Sequence, residues 1–282
     1  GHARTFRRHP ARLHGRLVNN RPQSNHDLER FAALAFSLTE ITRSVSMRYF
    51  RNDYVTDTKA DATPVTIADR ECERLMRERI AHEFPDHGII GEEHGNDRPG
   101  ASYVWVLDPI DGTKAFISGR PLFGALIALC RDGVPVLGVI DCPAVDDRWV
   151  GIVGRPTTHN DMPCSTRRCG RLADALLYAT SPYMFTGEDA SLFEKLRTQV
   201  KYPLFGGDCH NYGLVASGWI DLVVEANLKI HDWAALVPIA TGAGGLLTDW
   251  SGRNLDFDSD GRVVMAGDAR THRAAIEILG AC

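Results

Sequence analysis

The chain has 282 residues, 44% of them hydrophobic and 24% charged, with a formal net charge of −4. That length can bury a large core in one domain or two tightly joined halves, and the mild acidity argues against a general nucleic-acid binder. No run of about 18 apolar residues occurs, so no transmembrane helix is expected.

Residues 1–26 open with Arg4, Arg7, Arg8, Arg12, Arg16 and Arg21 before the first acid, Asp27. They read as a flexible basic tail or a tag remnant, with an organellar transit remnant as the alternative. From Asp27 onward, Leu28, Phe31, Ala32, Ala35, Leu38, Ile41 and Val45 recur at three- and four-residue steps, which predicts a helix to Phe50. Thr66 and Asp69 have capping-box spacing at the head of a second helix over 66–84, which carries Ala68, Cys72, Leu75, Met76, Ile80 and Phe84 on one face. Strands are expected at 87–91 and 103–107. Two more, 122–130 and 134–140, are joined by an Asp132-Gly133 hairpin turn, and another spans 149–153. The irregular stretch 154–171 is the expected seam between an N-terminal half (27–160) and a C-terminal half (161–282). Beyond it, strands 175–180, 220–225, 245–249 and 263–266 are interspersed with helices 188–200, 209–217, 233–243 and 269–279. The Gly242-Ala243-Gly244-Gly245 run reads as a helix C-terminus, since no strand feeds it as a phosphate loop would require. The seven cysteines include no C-x-x-C pair and read as reduced thiols, so a cytoplasmic setting is expected.

The most informative segment runs from Tyr103 to Phe116. Its apolar run ends at Asp108, and Asp111 follows beside Gly112 and Thr113. Ligands bind at strand ends in α/β proteins, and Pro109 forces Asp108 to be extended so that Asp111 can turn back toward it. Two carboxylates held that close need a positive charge between them, and a hard divalent cation with oxygen ligands supplies it. Gly112 and Thr113 offer backbone N–H groups at a helix start, which suits a phosphate. Taken alone, the segment also reads as a surface turn. Gly91-Glu92-Glu93 likewise ends a strand, though alone it would be a solvated acidic turn. Asp232, before a small-residue helix, would alone be an N-cap.

In this order, Gly91-Glu92-Glu93, Asp108-Pro109-Ile110-Asp111-Gly112-Thr113 and Asp232-Trp233-Ala234-Ala235 resemble the inositol monophosphatase superfamily of metal-dependent phosphatases. The resemblance runs from about Asp27 to the C-terminus. One departure is that many members carry Trp-Asp before the last helix, whereas here His231 precedes Asp232 and Trp233 follows it. Trp105 to Phe116, Gly119 to Gly124, Asp141-Cys142-Pro143, Arg148-Trp149-Val150-Gly151 and Gly207-Asp208-Cys209 resemble the histidinol-phosphate phosphatase branch. Lys114 also occurs in bisphosphate-nucleotide phosphatases and does not decide the branch.

The resemblance implies a layered α/β/α/β/α sandwich of the inositol monophosphatase and fructose-1,6-bisphosphatase type. It implies a Mg²⁺-dependent phosphomonoesterase hydrolysing histidinol phosphate, with two or three Mg²⁺ ions and in-line attack by a metal-activated water. Glu92, Asp108, Asp111, Asp232 and the carbonyl of Ile110 would be the metal ligands, with Asp108 bridging. Thr113 and Asp69 would orient the water and Glu92 help deprotonate it. Gly112 and Thr113 would cradle the phosphate, Asp208 and Glu225 would meet the leaving group, and Lys59 could add positive charge. His231 is expected to pack under the helix, and Glu225 taken alone reads as an exposed strand end. The alternatives are an inositol 1-monophosphatase, a 3′(2′),5′-bisphosphate nucleotidase, and a catalytically dead binding protein. The last has no need of four converging carboxylates. A homodimer is expected, with a small phosphomonoester as substrate and no nucleic-acid or membrane partner.

Overall fold

A computed structural model describes residues 25–52, 56–58 and 64–280. Lys59, Cys282 and nearly all of the basic start lie outside the described residues. Helices α1 (Asn25–Tyr49) and α2 (Ile67–Glu83) form where their apolar stripes predict, with a small hairpin of β1 (Thr56–Thr58) and β2 (Pro64–Thr66) between them. The capping box at the head of α2 is present. The Thr66 hydroxyl accepts from Ala68 and Asp69, and the Asp69 carboxylate accepts the Thr66 N–H.

Eight strands follow in the spatial order β10-β9-β8-β7-β6-β5-β3-β4. They are β3 (Gly88–Gly91), β4 (Gly95–Asp97), β5 (Tyr103–Asp111), β6 (Gly124–Arg131), β7 (Val134–Cys142), β8 (Asp147–Ile152), β9 (Thr158–His159) and β10 (Met162–Pro163). A short helix, α3 (Thr113–Ile117), leaves the end of β5. Asp132 and Gly133, at φ +48° and +83°, make the expected hairpin turn.

The second sheet has the order β12-β11-β13-β15-β14. It is built from β11 (Leu176–Ala179), β12 (Tyr202–Phe205), β13 (Leu222–Glu225), β14 (Leu246–Thr248) and β15 (Val263–Ala266). The helices of this part are α4 (Gly187–Arg197), α5 (His210–Ala216), α6 (Ile230–Trp233), α7 (Leu236–Gly242) and α8 (Ala269–Leu279).

The side-chain alternation shows why the layers form. On β5, Trp105 and Leu107 pack with α1 and α2, while Val104 and Val106 face Trp233, Leu236 and Ile239 in the middle layer. On β15, Val263 and Met265 face that same layer, and Val264 and Ala266 pack with α4 and α8 residues such as Phe193 and Ile278. The central strands of both sheets are buried on both faces, so they are continuously apolar rather than alternating with polar residues, while β4, β10 and β12 at the edges are largely exposed. The result is an α/β/α/β/α sandwich, as expected.

Several elements differ from the sequence-based expectation. The expected helix 233–243 is two helices, because Pro238 has no N–H to give to the carbonyl of Ala234. β12 was not anticipated. It has four residues including Pro203, and it sits at a sheet edge, where a proline is tolerated. The stretch 154–171 holds the two-residue strands β9 and β10, too short for any periodicity to show. The Gly242–Gly245 run does end a helix, with Gly244 at φ +85°.

Glycines let the middle helices lie close on the first sheet. A Cβ added at Gly138 of β7 would fall 1.9 Å from the Ala235 carbonyl oxygen, between α6 and α7. Gly138→Ala should therefore destabilise the protein by about 1–3 kcal/mol, the usual cost of overpacking. A denaturant midpoint equal to that of the unmodified protein would show instead that the helices shift away freely.

Candidate active site

Four backbone ends converge between the two sheets: the exits of β3, β5 and β13 and the first turn of α6. Asp108 is buried at 2% exposure, where the regular β5–β6 pairing ends. Asp108 pairs with Leu126 and Asp111 with Gly124, so β5 takes one residue more than β6 and bulges there. Pro109 cannot donate to the ladder, which accounts for the bulge. The Ile110 N–H turns back onto Asp108 Oδ1 at 3.1 Å, and the Thr113 hydroxyl donates to the Ile110 carbonyl at 3.2 Å.

One ligand oxygen each from Asp108, Asp111 and Asp232 lie within 4.8 Å of one another, and so do ligand atoms of Glu92, Asp108 and His231. Asp108 belongs to both groups. Asp232 is not an N-cap as the sequence suggested. It sits in the third position of α6, and its carboxylate accepts the Lys229 N–H at 2.6 Å. His231 is buried, and its Nε2 lies 3.6 Å from Asp232 Oδ1, so it borders the cluster as well as packing. Burial first, and then the neighbouring Glu92, Asp111 and Asp232, hold the Asp108 carboxyl well above the usual carboxylate range. Asp111 is raised in the same way by burial, Asp208 and Asp232, against a 2.6 Å hydrogen bond from the Cys209 N–H. A buried set of mutually repelling oxygen donors suits a hard divalent cation. Asp69, fully buried at the head of α2, adds a carboxylate whose Oδ1 has no hydrogen-bond partner. Its charge is felt at the cluster through Glu92.

Two cavities that share Thr180, Asp208 and Asp232 in their linings open onto these residues. The outer cleft, of about 260 Å³, lies between Glu92, Thr113 and Lys114 on one side and Asp208, Lys229 and Asp232 on the other. Gly112 also lines it. At φ +83°, and with the Asp208 Cγ only 3.0 Å from where a Cβ would be, this position has room for glycine alone. The inner cavity, of about 120 Å³, is lined by Asp111, Asp208, Tyr212, Glu225 and Asp232 among others. Glu225 is buried rather than at an exposed strand end. It accepts the Thr180 N–H at 2.8 Å and the Tyr212 hydroxyl at 2.9 Å. Thr180, Tyr212 and Lys229 were not singled out from sequence. Tyr212 is the third residue of α5, whereas Asp208 precedes the helix at φ +45°, so no helical spacing links the two. Thr180 follows the end of β11, a usual ligand position, but its contribution is a backbone N–H that no side-chain pattern reveals.

Comparison with known proteins agrees with this geometry. The sequence profile of the inositol monophosphatase family matches residues 27–281, and the chain belongs to that family of phosphatases. The bifunctional phosphatase IMPL2, chloroplastic, of Arabidopsis thaliana is 45% identical, over 91% of this chain and 77% of its own length. A histidinol-phosphatase of Chlorobaculum parvum is 35% identical, over 82% of this chain and 90% of its own. Among solved structures, an inositol monophosphatase from Zymomonas mobilis superposes with a TM-score of 0.83 at 46% identity, covering 92% of this chain and all of that one. No helix among the described residues is long and apolar enough to cross a membrane.

The buried carboxyls contribute a pH-dependent term to the stability of the metal-free protein. Burial pushes Asp69 and Asp208 up to about 6 and Glu225 up to about 7. A carboxyl whose folded pKa exceeds its unfolded value of about 4 favours the fold most at low pH, and that contribution is lost as pH rises through the folded pKa. The buried imidazoles of His87 and His272, lowered by burial, act in the opposite sense over this range, so the carboxyl contribution is read as a difference. In EDTA, the melting temperature of the protein relative to that of Glu225→Gln should fall between about pH 4 and about pH 7, and a difference that climbs through this range would contradict the assigned burial of Glu225.

Proposed function

We propose that the chain hydrolyses histidinol phosphate, with the Mg²⁺ dependence of its family. On this reading Glu92, Asp108, Asp111, Asp232 and the Ile110 carbonyl hold the metal. Bound there, Mg²⁺ supplies Lewis-acid charge at the phosphoryl group and a readily deprotonated water for in-line displacement. The Thr113 hydroxyl and Asp69 orient that water, and Glu92 takes up its proton. Backbone N–H groups of Gly112 and Thr113 receive the phosphate oxygens, while Lys114 and Lys229 at the cleft edge attract the dianion.

The observation that carries the substrate assignment is the inner cavity. Asp208 and Glu225 line it, both buried and both disfavoured as anions by that burial. A cationic leaving group restores their charge, and histidinol brings an ammonium and an imidazole. Glu225 already accepts two protein hydrogen bonds, so it is held in place with lone pairs still available. The histidinol-phosphatase relative supports the same substrate. The second reading is inositol 1-phosphate, supported by the 46% identity to the Zymomonas mobilis inositol monophosphatase.

The deciding assay is kcat/KM for histidinol phosphate, inositol 1-phosphate and adenosine 3′,5′-bisphosphate, each with and without Mg²⁺. A preference for either of the latter two would overturn the assignment. Asp108→Asn should abolish turnover while leaving the fold intact, because it removes the one charge shared by both ligand groups. Wild-type kcat in that variant at ordinary Mg²⁺ concentrations would rule out the metal assignment. Glu225→Gln preserves the shape and can keep the Thr180 bond, so its effect isolates charge. It should lower kcat/KM for histidinol phosphate about 10- to 100-fold relative to a neutral phosphomonoester, as expected for one charge-assisted hydrogen bond. Equal losses on both substrates would mean that Glu225 shapes the site generally.

A further inference from the structure

We infer that Glu73 is a positioning residue that sets Glu92 in the metal-binding cluster, an inference that rests on the metal reading above. The chain turns from β3 into β4 through Gly91, Glu92, Glu93, His94 and Gly95, with Gly91 paired to Gly95. Before the turn, the Glu92 N–H makes a ladder bond to the Leu107 carbonyl at 3.2 Å. After it, both following N–H groups are taken by one side chain on α2. Glu73 accepts the Glu93 N–H at 2.6 Å and the His94 N–H at 3.0 Å.

Glu73 is itself fully buried and held by Arg77, whose Nε donates to it at 2.7 Å and whose guanidinium also donates to the Gly95 carbonyl. The carboxylate lies directly against the backbone before Glu92, since a Cβ at Gly91 would fall 2.0 Å from Glu73 Oε1. The His94 ring adds a contact of 3.0 Å to the Arg70 carbonyl, so three successive turns of α2 grip this one loop. Glu92 is thereby fixed on both sides, by the sheet before it and by Glu73 after it. Two amide donors and a guanidinium converge on one point, and only a carboxylate can accept from all three. Asp69 and Glu73 stand one helical turn apart, so α2 presents one acid to the cluster and uses the next to aim Glu92 from behind.

The test is Mg²⁺ binding measured by calorimetry on the purified protein without substrate, alongside activity. Glu73→Gln keeps the size but replaces one acceptor oxygen with an amide that faces an N–H donor. Mg²⁺ should bind about 10-fold or more weakly, the usual effect of losing a residue that orients a metal ligand. The Mg²⁺ concentration for half-maximal activity should rise in step, and kcat at saturating Mg²⁺ should fall as well, because Glu92 also takes up the proton of the water. A lower melting temperature with unaltered Mg²⁺ binding would overturn the inference and leave Glu73 a turn-holding residue only. If Glu73→Gln does not fold, Arg77→Met carries the test, because it keeps the carboxylate but removes its guanidinium. Weaker Mg²⁺ binding supports the inference, and unchanged binding overturns it. Asp108→Asn serves as the control. Loss of Mg²⁺ binding there without loss in Glu73→Gln sinks this inference alone. Unaltered binding in Asp108→Asn sinks the metal reading, and the inference with it.

Discussion

Repulsion among buried carboxylates is the constraint around which the molecule is arranged. Asp108, Asp111 and Asp232 come within 4.8 Å of one another in a place where burial already disfavours their charge. Left to themselves such groups would take up protons or move apart. They do not move apart because each is held by backbone that belongs to something rigid. Asp108 ends the regular part of β5, Asp111 accepts the Cys209 N–H, and Asp232 closes the first turn of α6 on Lys229. The energy stored in that arrangement is what a divalent cation would release, and it explains why the site belongs on a scaffold with a large core.

That scaffold works by layering. With both faces of the central strands buried, their ends are displaced only if whole layers move, and cores packed this densely resist it. The bulge at Pro109 is the exception and it serves the site. It lets the chain leave the β5–β6 ladder between Asp108 and Asp111, so the two carboxylates turn toward one another instead of pointing to opposite faces.

Much of this was legible in the sequence, and the reasons are specific. The long helices and central strands announced themselves through periodicity and continuous apolar runs, and the Asp132-Gly133 turn through its φ requirement. Glu92, Asp108, Asp111 and Asp232 stand out in the sequence because their motifs are local, and the structure brings their carboxylates together, their metal role being the proposal above. What escaped was either short or non-local. β9, β10 and β12 carry too few residues for a pattern. The hydrogen bonds to Glu225 come from Tyr212 and from the backbone of Thr180, 13 and 45 residues away, and Glu73 reaches the Glu93 N–H across 20 residues. Asp232 lies inside the first turn of α6 rather than ahead of it, because the helix begins at Ile230, where Lys229 and Asp232 close a capping box.

One short helix ties the two sets of acids together. The residues at and before the start of α5 meet the cluster directly: the Cys209 N–H bonds Asp111, and the Asp208 side chain lies against Gly112. Within the same helix, Tyr212 donates to Glu225 in the inner cavity. On the proposed roles, the element that holds a metal ligand also shapes the leaving-group pocket, so the two cannot be tuned independently. A substitution that reshapes the inner cavity by moving α5 would also disturb Asp111. Changes of substrate on this fold should then come most easily from side chains that enter the cavity without belonging to α5, such as Met184 and Leu228 on its wall. That separation between a fixed acidic frame and a replaceable wall gives a physical reason why close relatives bear the names of different phosphatases.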